Sequence, residues 1–250
     1  MQSDRGALLR EIIRCPEMVS IHSGVLQSSP CQKIVSLQSV IAFQVPEPWS
    51  GQIDKASLLF ISSNPSINEL EQYPSSSWSL EKADDFFENR FTSKEEWVDE
   101  KMCALQLDGT RGRSVRYWTA ARSRASEILS KPRDQIVPGI DFALTEIVHC
   151  KSRAEAGVSE ARELCSTRYL ERILAISAAK VLIVFGRSAQ ITMTNLFKSR
   201  MTVIFNGLCE ISTGKRRLVA FLPHPSSFEP LKTAGGCLGS EGLAALRSFL

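Results

Sequence analysis

Two short loops lying far apart in the chain carry side chains that could act together on one bond. Ser63-Asn64-Pro65-Ser66 follows an apolar run at residues 57–61, and Pro223-His224-Pro225-Ser226 follows another at residues 218–222. The Asn64 amide is essentially not basic, but its carbonyl oxygen can orient and polarise a water molecule. His224, when neutral, can donate a hydrogen bond to an atom that gathers negative charge, without competing protonation. Each loop also has a plainer reading. Asn before Pro is a common turn, and a His between two prolines can serve only to end a strand.

A second set of reactive groups is the seven cysteines, Cys15, Cys31, Cys103, Cys150, Cys165, Cys209 and Cys237. The odd count and irregular spacing argue against a disulfide framework and for reduced thiols or metal ligands. His149 beside Cys150 hints at zinc, but no second His follows at a usable spacing. A third set is a stripe of Arg111, Arg113, Arg116, Arg122 and Arg124 interleaved with Tyr117 and Trp118. Residues 111–135 hold seven basic and two acidic side chains, a net of +5; residues 69–101 hold ten acidic and four basic, a net of −6. A basic, aromatic-bearing stripe can follow a phosphate backbone. It can equally be a solvated helix face whose arginines pair with the acidic segment.

Strands and helices must bring these groups together. Residues 1–14 read as a short helix and 15–45 as a helix plus irregular chain. Residues 46–49 are extended, because each proline pushes its predecessor out of the helical region. A buried strand is expected at 57–61, then an irregular, partly helical insertion at 73–97. Val115, Trp118, Ala121, Ala125, Ile128 and Leu129 share one face of a helix over 115–129, with Trp118 in the core. Strands follow at 142–148 and 181–185, a short one at 202–205 and the last central one at 218–222. Helices are expected at 159–178, 188–197 and 240–250. Apolar strands alternating with helices predict an α/β fold, three layers of α/β/α around a central, mainly parallel four-stranded sheet. Such sheets bind ligands beyond the carboxyl ends of their strands, where Asn64 and His224 both lie. Residues 1–45 form an N-terminal helical and irregular segment, and 46–250 the α/β domain.

Hydrophobic residues at 43% and charged residues at 23% exclude disordered and collagen-like classes. A net charge of +3 is too mild to announce a nucleic-acid binder. No apolar run reaches the ~18 residues of a membrane span, and residues 1–10 have no secretory core. The expectation is a cytoplasmic protein with no membrane partner and no evident obligate protein partner.

Three stretches, in order, give the chain a resemblance to the uracil-DNA glycosylase superfamily. Ser63-Asn64-Pro65-Ser66 is similar to its first motif. Leu144-Thr145-Glu146-Ile147-Val148-His149-Cys150-Lys151, continuing to Cys165 and residues 181–186, resembles the middle of its iron–sulfur branch. Leu222-Pro223-His224-Pro225-Ser226-Ser227-Phe228 is similar to its closing motif. The resemblance implies hydrolysis of an N-glycosidic bond in DNA, leaving an abasic site. Asn64 then places water against the sugar, and His224 donates to the base O2. Ser63 and an aromatic, Trp78 before Tyr73, lie at the base. Ser66, Ser226 and Ser227 contact DNA, and Phe228 wedges into the vacated stack. The alternatives are a non-catalytic nucleic-acid binder on the same fold, and an unrelated α/β hydrolase. The latter is disfavoured because neither a Gly-rich phosphate loop nor a Gly-x-Ser-x-Gly turn is present.

Glu146 departs from the family, which has a base-reading Asn here. An ionised carboxylate only accepts hydrogen bonds, so it suits the amino group of cytosine better than uracil O4. The expectation is therefore a modified cytosine, as in defence against viruses with modified DNA, over uracil repair. A one-residue shift in the match, or a Glu146–Lys151 ion pair at the pocket edge, is the competing reading. Cys150 and Cys165 are similar to half of the branch's [4Fe-4S] ligand set, which needs four thiolates. Cys15 and Cys31 would complete it in a structural role, although they are more widely spaced than the family's pair. Free buried thiols are the alternative. Neither matched loop contains a lysine nucleophile, so a monofunctional enzyme is expected.

Overall fold

Strands β1 (Leu58–Ser62), β4 (Phe142–Glu146) and β5 (Val181–Phe185) are buried at every residue, as strands covered on both faces must be. The computed structural model describes residues 2–26, 28–92, 96–205, 207–230 and 232–250. Helices α1 (Gln2–Ile13), α2 (Pro16–His22) and α3 (Gln32–Val35) precede β1. Between β1 and β4 come α4 (Leu80–Asn89), a two-stranded hairpin of β2 (Cys103–Leu105) and β3 (Arg111–Ser114), and α5 (Arg116–Leu129). Then follow α6 (Val158–Ile176), β5, α7 (Arg187–Phe197), β6 (Met201–Phe205), β7 (Leu208–Ser212), β8 (Arg216–Leu222) and α8 (Ala234–Phe249).

The central sheet has six strands in the order β4-β1-β5-β8-β7-β6. The first four are parallel and coincide with the four anticipated central strands. The expected count of four is corrected by β6 and β7, which form an antiparallel hairpin that extends the sheet from β8. Burial explains why β7 escaped notice: only Leu208, Cys209 and Ile211 face inward, in a five-residue segment that also holds Glu210. The partner β6 is an edge strand, with Val203 71% and Phe205 40% exposed. Helices surround this sheet, and Leu8, Ile12, Ile34 and Val35 of the N-terminal helices join the same apolar core. Among the described residues no helix is long and apolar enough to cross a membrane.

The reversal of strand order falls at β1. The chain steps from β1 to β4 on one side, then crosses to β5 on the other, and such a switch point opens a crevice beyond the strand ends. Register fixes that edge: Ser62 pairs with Glu146, and Phe185 with Leu222.

One buried cation ties β8 to α6. The Arg217 guanidinium, fully buried, donates to the carbonyls of Leu174 (2.6 Å), Ser177 (3.0 Å) and Ala179 (3.0 Å), so that it caps the end of α6. Replacing it with Met removes all three of these bonds; Leu174 keeps only the Ser177 N–H (3.2 Å). Arg217→Met is expected to lower the unfolding free energy by about 3 kcal/mol, read from the urea midpoint. Arg217→Lys should recover little, because one ammonium cannot reproduce the planar fork.

Candidate active site

The loop after β1 is fastened to the loop after β4 by backbone bonds from Ile147 to Ser62 (2.9 Å), Val148 to Ser63 (2.9 Å) and Ser152 to Pro65 (2.9 Å). Within it the Asn64 side-chain amide donates to the Pro65 carbonyl at 3.0 Å. That bond orients the amide through its nitrogen and leaves the carbonyl oxygen as the acceptor. Ser63 and Ser188, at the start of α7, lie with hydroxyls 3.4 Å apart. Ser66 is exposed and bridges to Ser152.

The loop after β8 reaches the same β5–α7 turn. Gly186 has φ +86°, and a Cβ there would stand 3.2 Å from the His224 Cβ. The absent side chain lets His224 pack against the end of β5. His224 is half-buried, and its Nδ1 accepts the Ser226 N–H at 3.2 Å. A ring accepting at Nδ1 carries its proton at Nε2 when neutral. Burial lowers its pKa, with Glu155 opposing and Lys232 assisting. His224 is thus the neutral donor its role would need. The loop is tightened by Ser227 N–H to the His224 carbonyl (2.8 Å) and by Lys232 on the Pro225 and Ser227 carbonyls. Ser226 is exposed, and the Ser227 hydroxyl is buried without a partner. Phe228 is fully exposed, which rules out a core role for it.

Glu146 is buried at the end of β4 and accepts a hydrogen bond from the Ser62 hydroxyl. Burial pushes its pKa up to about 8; Ser62 opposes this and the Glu47 charge adds to it. The expectation of an ionised Glu146 is therefore corrected: near neutral pH it is a carboxylic acid, with one donor and one acceptor. Lys151 does not pair with it. Its ammonium lies 3.6 Å from Glu71 and 3.5 Å from the Tyr73 ring centroid, in a buried network with Arg90 and Glu47.

The expected aromatic wall is also corrected. Trp78 packs against Phe86, Trp97 and the Lys82 ammonium and lines a separate cavity with Gln44 and Ser77. Tyr73 is buried, with its hydroxyl on Glu47. The aromatic that reaches the crevice is Tyr117, the second residue of α5. Its ring lies parallel to His224 (8°) at a centroid distance of 6.1 Å and edge-on to Phe185 at 5.8 Å. Its hydroxyl is buried beside Ser62; burial and then the Glu146 charge raise its pKa, and Ser62 opposes them. Sequence reasoning placed Tyr117 only in a basic stripe. Its position beside Trp118, at the polar edge of a helix that starts near the strand ends, was the available signal.

Cys15, Cys31, Cys150 and Cys165 line one enclosed cavity together with Ile12, Val148 and Tyr169. Burial raises the Cys150 thiol, and the other three cysteines each raise it further, so the four sulfurs act on one another. The close approach of α3 depends on Gly157 (φ +78°), where a Cβ would fall 2.5 Å from the Ile34 nitrogen. Tyr169 O–H and His149 N–H each point to a sulfur, of Cys15 and Cys165, at 3.5 Å. Among the described residues no three such side chains are close enough to hold a single ion. Four thiols around a small apolar cavity fit a multi-iron cluster, which spreads its ligands more widely than one ion does.

The raised Glu146 pKa has a signed consequence. Below its ordinary value of 4.5 the group is neutral in both folded and unfolded chains. Between 4.5 and about 8 only the unfolded chain ionises, so folding loses up to about 1.4 kcal/mol per pH unit. Glu146→Gln lacks that loss and should gain stability over the parent as pH rises from about 5 to about 8, measured by thermal melting. For the cysteines, anaerobically isolated protein should be brown, with broad visible absorbance that Cys150→Ser abolishes; colourless protein without iron would favour free thiols. A scan of protein-family models matches none to this chain, and no curated protein is significantly similar to it.

Proposed function

We propose that the protein is a monofunctional DNA glycosylase that hydrolyses the N-glycosidic bond of a flipped-out pyrimidine-type base and leaves an abasic site. The observation that carries this reading is the meeting of the Asn64 and His224 loops on the β5–α7 turn, with Glu146 on the same sheet edge. A three-layer α/β/α arrangement with this crevice at its edge is part of the same reading.

Cleavage builds positive charge on the sugar and negative charge on the departing base. The Asn64 carbonyl oxygen holds the attacking water, and the His224 Nε2–H stabilises the charge at the base O2. The base must leave the stack to be reached. The exposed Phe228 fills the gap it vacates, as apolar wedges do, while Ser66, Ser226 and Ser227 contact the flanking backbone. The two lysines beside these loops are engaged elsewhere and do not offer a Schiff-base nucleophile: Lys151 is held by Glu71 and Lys232 by two carbonyls. A [4Fe-4S] cluster held by Cys15, Cys31, Cys150 and Cys165 would supply a cross-link between the N-terminal helices, the β4 loop and α6.

As a neutral acid, Glu146 can read two pyrimidine edges. For uracil it accepts from N3–H and donates to O4; for cytosine it donates to N3 and accepts from the amino group. Above about pH 8 the carboxylate only accepts: it keeps the bond from uracil N3–H or from the cytosine amino group, and loses the one to uracil O4 or cytosine N3. A modified cytosine, with a role in defence, stays the preferred substrate of this reading and uracil repair its alternative; the protonation of Glu146 does not separate them.

Oligonucleotides bearing uracil or modified cytosines, scored for alkali-sensitive breaks, test the reading. Asn64→Ala and His224→Ala should each reduce excision by ~10²–10³ while DNA binding is kept. Release of no base by the parent, or undiminished release by His224→Ala, would overturn it. Excision of either base should weaken as pH rises through about 8, where Glu146 loses its donor, and the Glu146→Gln profile should stay flat there.

A further inference from the structure

We propose that Arg187, Arg116 and Arg113 form a track along the crevice mouth that grips the phosphate backbone of the strand whose base is read. The identity of the polyanion rests on the glycosylase reading; the track itself is an addition to it.

Arg187 directly follows Gly186, which packs against His224, and Arg116 directly precedes Tyr117, whose ring lies parallel to His224. Arg113 continues outward on β3. All three are exposed, and the described ion pairs give none of them an acidic partner.

The rest of the basic stripe behaves differently. Arg122 donates to the Glu100 carbonyl at 2.9 Å, Arg111 to the Glu96 carbonyl at 3.5 Å, and Arg124 pairs with Glu127 at 3.7 Å. Those three are engaged within the fold, in keeping with a stripe folded back on the acidic segment. Arg113 and Arg116 lie outside that set and flank the start of α5, where Tyr117 enters the crevice.

Exposed guanidinium groups without an acidic partner add little to folding, whereas phosphate oxygens match their fork. Acidic groups restrict the path. Glu155 acts on His224, and Glu229 lines the groove beside Arg187. The side running from Arg116 to Arg113 is therefore the one a polyanion can follow away from the site. The fully exposed Phe228 projects from the neighbouring loop.

Salt dependence of binding tests this directly. A fluorescein-labelled oligonucleotide carrying a tetrahydrofuran abasic analogue, single-stranded or in duplex, is titrated at rising KCl and followed by anisotropy. Each of Arg113→Gln, Arg116→Gln and Arg187→Gln should flatten the slope of log affinity against log salt by about 0.7–0.9, and the triple variant by about 2–3. Arg200→Gln removes an equal charge at the other end of α7, where Arg200 pairs with Glu171, and should leave the slope unchanged. A triple variant that melts like the parent and keeps its slope would overturn the track. If the parent releases no base yet the triple variant loses salt-sensitive binding, the track stands and the glycosylase reading falls. If the parent excises a base and the triple variant's slope is unmoved, the glycosylase reading stands and the track falls.

Discussion

The site depends on the parallel pairing of β1 with β4 on one side and β5 on the other. That register puts Ser62 beside Glu146 and carries the chain on into Ser63 and Asn64 at the same edge. Because β8 pairs with β5 in the same direction, its loop returns His224 to that edge as well. A slip of one residue would turn Glu146 to the opposite face of the sheet, since side chains alternate. Fully buried strands resist such slips, and the β6–β7 hairpin, on the far side of β8, contributes nothing to the edge.

Around this frame the molecule holds charge in places where water is absent. Arg90 is buried against Glu47 and Glu71, lies 4.5 Å from the Trp118 ring and shares its acidic partners with Lys151. Two cations face two anions there, so the network carries no net formal charge. Such a network adds little to stability relative to apolar packing, but removing one member strands the rest. It joins the 46–50 segment, the end of α4 and the chain after β4, and so stiffens the floor beneath the crevice. Glu146 has no cation of its own among the described ion pairs, only Ser62, and for that reason burial leaves it protonated. Burial also lowers the pKa of the half-buried His224.

The cysteine cavity lies on the other side of the 147–150 segment. His149 and Val148 line it, while Glu146 and Ile147 belong to the crevice edge. Anything that ties Cys150 to α2, α3 and α6 also holds the end of β4 in place.

Much was legible in the chain itself. The runs at 57–61, 142–148, 181–185 and 218–222 announced four buried parallel strands, because a strand covered on both faces must be apolar throughout. The loops that follow them put Asn64 and His224 at strand ends, where the resemblance singled them out, and the parallel register carries both loops to one edge of the sheet. Cys15 and Cys31 were named as partners of Cys150 and Cys165 despite their spacing, and the fold brings all four to one cavity. Tertiary structure alone decided the rest. The protonation of Glu146 depends on how completely its neighbours exclude water, which no residue spacing encodes. The choice of Tyr117 over Trp78 depends on where α5 starts relative to β5, a long-range packing outcome. The fate of each arginine in the stripe depends on which carbonyls and carboxylates fold back within its reach.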